Sequence, residues 1–206
     1  MRRGFALVLA AAALGSSLAV GTGEAAVSRQ VESLVQARLA GVVKASAKPA
    51  RNTAPHGSRA KSAMAVLEET VVDRMNQVRR SHGLRALRLS RPLGVAADFH
   101  SRDMGRRGYF EHDSIVGTPF WRRIERFYPS RGFRSWTVGE NLLWGTDTYS
   151  AAFAVREWMK SPPHRENLLS REWREVGIGA IHLSNAPGTF RGNSVTIVTA
   201  DFGTRR

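Results

Sequence analysis

The chain has 206 residues, 42% of them hydrophobic, with 31 Lys and Arg against 17 Asp and Glu and no cysteine. That is material for one globular domain with peripheral segments, and the lack of Cys excludes a disulfide framework, a thiolate metal site, a Cys nucleophile and a lipidated N-terminal Cys. The net charge of +14 divides as +1 on residues 1–25, +6 on 26–63 and +7 on 64–206, where Arg alternates with acids and forms no continuous stripe, so no specific nucleic-acid partner is expected.

Met1-Arg2-Arg3, the apolar run Phe5 to Val20 and the small residues Gly21 to Ala26 read as a secretory signal peptide over residues 1–25. The expected location is therefore secreted, extracellular or in the cell envelope. The apolar run is short for a span of about 20 residues, so no transmembrane segment is expected after cleavage, and an uncleaved anchor is the weaker alternative. Residues 26–63 read as a basic, largely disordered linker: 27–46 carry a weak helical pattern, and 47–63 are rich in Pro, Ala and basic residues with almost nothing to bury. Its charge suits loose attraction to an anionic envelope component. The domain is placed at residues 64–206.

Within it, Val66, Leu67, Val71, Met75 and Val78 recur at helical spacing up to Gly83. A second helix starts at Ser90 as N-cap with Pro92 in its first turn, carries Leu93, Ala96, Ala97, His100 and Met104 on one face, and ends at Gly108. A third follows Thr118-Pro119. A strand is expected over Val138 to Trp144, then a fourth helix from Thr148 to Ser161, broken by Pro162-Pro163. Strands over Val176 to Leu183 and Ser194 to Phe202, joined by the turn-rich 184–193, complete the order. Helices flanking a small, mainly antiparallel sheet make an α+β domain, a three-layer α-β-α sandwich.

Of six histidines, His56 falls in the linker and His82 beside a helix-ending Gly. His100, on an apolar helix face, reads as a hydrogen-bonded core residue, and His182, within a strand, as structural. His112 and His164 are read as sitting in loops that leave helices, where binding groups concentrate; each alone is equally a surface histidine. Glu140 lies in an apolar strand, where a carboxylate needs a cation or donors, or else serves structure.

The blocks Met75-Asn76-x-x-Arg79, Gly108-Tyr109-Phe110-Glu111-His112, Gly139-Glu140-Asn141-Leu142, Trp158 to Leu169 with Ser161-Pro162-Pro163-His164-Arg165-x-Asn167, Glu175-Val176-Gly177-Ile178-Gly179 and Thr199 to Gly203 resemble, in order and spacing, the bacterial branch of the CAP superfamily, also called SCP domains. The resemblance covers about residues 66–203. It implies an α-β-α sandwich with a cleft of two histidines and two glutamates able to hold a divalent metal, often zinc. His112, Glu140 and His164 match three of those positions. Ser161 stands where eukaryotic members carry the second glutamate, which weakens the ligand set. Asn141, Ser161, Arg165 and Asn167, together with Glu140, are the expected ligand-binding neighbours. The favoured function is a secreted, non-enzymatic module binding a small molecule, lipid or envelope component, with Zn2+ as a candidate aid. The alternatives are a hydrolase using a cleft histidine as base with Ser161 as nucleophile, although no Gly-x-Ser-x-Gly elbow is present, and a structural envelope protein.

Overall fold

The computed structural model describes residues 62–206. The signal peptide and nearly all of the linker read from the sequence lie outside the described residues.

Helix α1, Ala63–Ser81, begins where the Ser62 side chain accepts the Ala65 amide, and it buries Leu67, Val71, Val72, Met75 and Arg79. Val66, expected on that face, is half exposed. A two-residue strand β1, Arg88–Leu89, with both side chains exposed, has no hydrophobic pattern that could announce it. Helix α2, Arg91–Arg107, follows Ser90 with Pro92 in its first turn and closes at Gly108 in the left-handed conformation, φ 73°. Helix α3 is Phe120–Phe127, β2 is Trp136–Thr146 and α4 is Ala151–Lys160, capped by the Ser150 hydroxyl. Pro162 and Pro163 do end α4, yet they also open a further helix, α5, Pro162–Leu169. Proline at a first helical position forfeits only an amide hydrogen that has no intrahelical partner there. His164 therefore sits in the first turn of a helix, not in the loop the sequence suggested. Strands β3, Glu175–Leu183, and β4, Val195–Arg205, follow.

The sheet order is β1-β3-β4-β2, antiparallel for β3 with β4 and β4 with β2, parallel for β1 with β3. Alternation divides β4 between two cores. Val198, Ala200 and Phe202 pack with α1, α4 and Trp173, while Val195 and Ile197 join Met104 of α2 and Leu142 on the other face. Leu93 and Ala96 of α2 pack with Ile124 of α3 and Val138 of β2. The three layers are therefore α2 with α3, the sheet, and α1 with α4 and α5. Among the described residues no helix is long and apolar enough to cross a membrane.

The Gly177-Ile178-Gly179 stretch brings α2 onto β3. A Cβ on Gly177 would collide with the backbone of Leu93 and Gly94, and one on Gly179 with that of Ala97 and Asp98. Backbone cannot rotate aside as a side chain can. Gly177→Ala is expected to destabilise the domain by about 3 kcal/mol or more. Gly94→Ala, a helical position whose added carbon meets only the Ile178 carbonyl at 3.8 Å, should be neutral or stabilising by about 0.5 kcal/mol. Chemical denaturation checks both, and equal costs would mean that the helix-to-strand approach is looser than described.

Candidate functional site

The loop from Gly108 to Pro119 carries His112 and is fixed at both ends. At its start, Thr189 N–H donates to the Gly108 carbonyl at 2.8 Å, and the Tyr109 hydroxyl donates to Asp103 at 2.5 Å. At its end the Asp113 carboxylate accepts the Phe120 amide at the start of α3, 2.9 Å. In the middle, His100 of α2 donates from Nε2 to the Glu111 carbonyl, 2.9 Å. His100 is thus the buried, hydrogen-bonded residue its helix position implied, and it also lies 4.0 Å from Glu140.

Glu140 of β2 has no side-chain exposure. Its Oε1 accepts from His112 Nδ1 at 2.7 Å, and its Oε2 accepts from Arg123 Nη2. Arg123, reaching in from α3, also donates from Nη1 to the His112 carbonyl at 3.2 Å and lies 3.5 Å from Asp201 Oδ1. Asp201 stands directly opposite Glu140 across the β2/β4 pair. Burial by itself would raise the Glu140 pKa. The charges of Arg123 and His100 and the His112 hydrogen bond outweigh it and hold the carboxyl at about 2. Asp201 goes the other way: burial, with the Glu140 charge added, raises it well above the aspartate range despite Arg123. The two carboxyls thus divide into one anion and one neutral acid around one guanidinium.

His112 and His164 reach this edge of the sheet from opposite faces. Glu140, which holds His112, points toward α2 and α3. The next residue, Asn141, points the other way and donates to the His164 carbonyl at 3.0 Å. Burial, followed by the proximity of His112, lowers the pKa of His164. Among the described residues, the buried side-chain polar atoms without a hydrogen-bond partner are His112 Nε2, His164 Nε2, Arg123 Nε and Asp201 Oδ2. All four belong to this cluster, although such orphans are rare in folded proteins.

The expected ligand-lining residues divide. Ser161 is half-buried at the α4/α5 junction and Arg165 is exposed. Asn141 and Asn167 are buried and committed to structure. Asn167 Nδ2 donates to the Glu140 carbonyl at 3.1 Å and to Asn141 Oδ1 at 3.0 Å, and Asn167 Oδ1 accepts from Trp173 at 3.0 Å. His82 and His182 are exposed, away from the cluster. Arg123 and Asp201 escaped the sequence reading as site residues. The available signals were Arg123 on the apolar face of α3 with Phe120, Ile124 and Phe127, and Asp201 as a lone acid in an apolar strand.

Residues 72–202 match the sequence profile of the cysteine-rich secretory protein family, CAP. The chain belongs to this family. It is 32% identical over 123 residues to the uncharacterized protein YkwD of Bacillus subtilis, covering 59% of this chain and 45% of that protein. It is 30% identical over 112 residues to the uncharacterized membrane protein YlbC of the same organism, covering 54% and 31%. The matched part is thus less than half of either relative. The fold is shared with an SCP-domain extracellular protein of Bacillus anthracis, TM-score 0.53 at 24% identity, covering 70% of this chain and 44% of that one. An outer surface protein of Borrelia burgdorferi gives 0.51 at 22%, covering 67% and 92%.

The donor set of this CAP domain fits the family's divalent metal poorly. Two imidazole nitrogens are buried and unpartnered, but both Glu140 oxygens are taken, and serine occupies position 161. No group of three or more His, Asp or Glu able to hold a metal ion occurs among the described residues, whereas catalytic zinc ordinarily takes three protein ligands.

The cluster makes stability acid-sensitive. Burial depresses His100 to about pKa 4, outweighing the opposing Glu140 charge, so the unfolded chain binds its proton first. Stability is full above pH ~6.5 and falls as pH drops toward 4, by roughly 2–3 kcal/mol from this group. His164 acts in the same direction. Glu140, depressed to about 2, adds a second loss below about pH 4.5. His100→Gln, which keeps a donor for the Glu111 carbonyl, should reduce the difference in denaturation midpoint between pH 7 and 4.5. An unchanged difference would show that His100 is not the titrating group.

Proposed function

We propose that this CAP domain is an extracellular, non-enzymatic binding module whose cleft at the β2 edge engages a polar small molecule, lipid or envelope component through the paired imidazoles of His112 and His164. The observation that carries the reading is the pair of buried, unpartnered Nε2 atoms. Because ionised Glu140 can only accept, His112 carries its proton on Nδ1, and a neutral ring then presents its lone pair at Nε2. Such an acceptor at His112, beside the unpartnered Nε2 of His164, suits a ligand hydroxyl or ammonium donor. Ser161 and Arg165 are the residues available to flank a ligand there. Extracellular placement is supported by the expected signal peptide and by the extracellular and outer-surface neighbours.

The hydrolase alternative is weaker on geometry. Ser161 Oγ makes no hydrogen bond to either histidine among those formed by the described residues, whereas a serine nucleophile needs a base within reach.

Zinc is the probe of the imidazole pair. Calorimetry on the full chain near pH ~7.5 should find weak binding to wild type, about tenfold tighter binding to Ser161→Glu, which adds a carboxylate, and none to His112→Ala or His164→Ala. Acid should weaken wild-type binding, because a protonated imidazole cannot coordinate; burial lowers His164, so its share of the loss sets in below the usual histidine range. Equal zinc affinity of wild type and His112→Ala would sink the imidazole-pair reading.

A further inference from the structure

We infer that the Arg123 guanidinium is the resident cation of the cluster, filling between Glu140, Asp201 and the His112 carbonyl the place a divalent ion would take, so that the framework of the cleft is independent of metal. The inference stands apart from the identity of any ligand.

The acceptors around Arg123 have the composition of an oxygen-ligand cation site: a carboxylate from β2, a carboxyl from β4 and one main-chain carbonyl from the His112 loop. Glu140 and Asp201 are direct cross-strand partners; like charges so placed would repel, and Asp201 accordingly keeps its proton beside ionised Glu140. Each has zero side-chain exposure, and the Arg123 side chain is only 8% exposed, so water cannot supply the missing neutralisation. Among the described residues, the ion pairs of these two carboxyls are with Arg123, His100 and His112. Burial keeps His100 neutral down to about pH 4, whereas the guanidinium stays ionised throughout. Its planar fork meets several acceptors in a fixed geometry, where an ammonium acts as a compact point charge.

The arrangement accounts for the poor fit to a metal. With Arg123 in place, Glu140 has one oxygen on the guanidinium and the other on His112, and the imidazole pair is the donor set left over. The Glu140 carboxylate and the Asp201 carboxyl serve the cation the chain already carries.

Calcium tests this, because it seeks oxygen ligands and has little affinity for imidazole. Thermal melts of the full chain are compared in excess calcium and in chelator. Wild type should melt at the same temperature in both. Arg123→Gln should melt roughly 10 °C lower in chelator and recover part of the loss in calcium. Adding Asp201→Asn to Arg123→Gln should change the melt in chelator little, because an amide replaces an acid that is already neutral, and should reduce the calcium recovery by weakening one oxygen ligand. If Arg123→Gln does not fold in chelator, folding restored by calcium is the same result. Equal calcium shifts in wild type and Arg123→Gln, or an Arg123→Gln chain that folds in neither condition, overturn the inference. Zinc reports the imidazole pair and calcium the oxygen cluster, so the failure of one reading leaves the other measurable.

Discussion

A carboxylate sealed from water must be neutralised where it stands, and at Glu140 that requirement organises the site. Removing one partner of such a buried pair ordinarily costs about 3–5 kcal/mol. The β2 backbone places the carboxylate on the inner face, so α3 must deliver Arg123 to it and the loop after α2 must deliver His112. Both deliveries are reinforced locally. Arg123 holds the His112 carbonyl as well as the carboxylate, and His100 holds the carbonyl one residue earlier. The position of the His112 ring follows from the neutralisation of Glu140.

A second constraint comes from topology. β2 is an edge strand, and its outward carbonyls need donors. Trp158 Nε1 donates to the Leu142 carbonyl at 3.1 Å, and Asn167 Nδ2 to that of Glu140. Trp173 in turn donates to the Asn167 carbonyl at 2.8 Å. At the far end of α5, the buried Arg79 donates to the carbonyls of Leu168 and Ser170, 2.7 and 2.9 Å. Several residues of the recognisable Trp158 to Leu169 block therefore cover a sheet edge and anchor one short helix. That anchoring carries His164 to the same edge that His112 reaches from the other face.

Much of this was legible in the chain. The periodic helices around Leu67 to Met75 and Leu93 to Met104 and the three long strands fall where the pattern puts them, because their faces bury against a single sheet. The Pro162-Pro163 signal was read only as a stop, although the same chemistry also starts a helix, and β1 had no pattern to read. His112, Glu140 and His164, picked out through sequence blocks, are brought to one edge of the sheet. Asn141 and Asn167, expected beside a ligand, are buried and hydrogen-bonded to backbone and to each other, and an amide that satisfies backbone and an amide that lines a cleft look alike in one dimension. Arg123 and Asp201 were missed for a similar reason. An arginine in the run Trp121-Arg122-Arg123 resembles any solvated helix face until a buried carboxylate is known to lie opposite.

The central claim is that Glu140, held ionised by Arg123, fixes His112 with its proton on Nδ1 and its lone pair on Nε2. Nitrogen-15 NMR of the imidazole side chains near neutral pH reads this directly. The account predicts a protonated Nδ1 and an unprotonated Nε2 for His112, with the preference lost in Glu140→Gln, whose amide can also donate. A His112 ring protonated on Nε2 and bare on Nδ1 in the wild-type chain would contradict it.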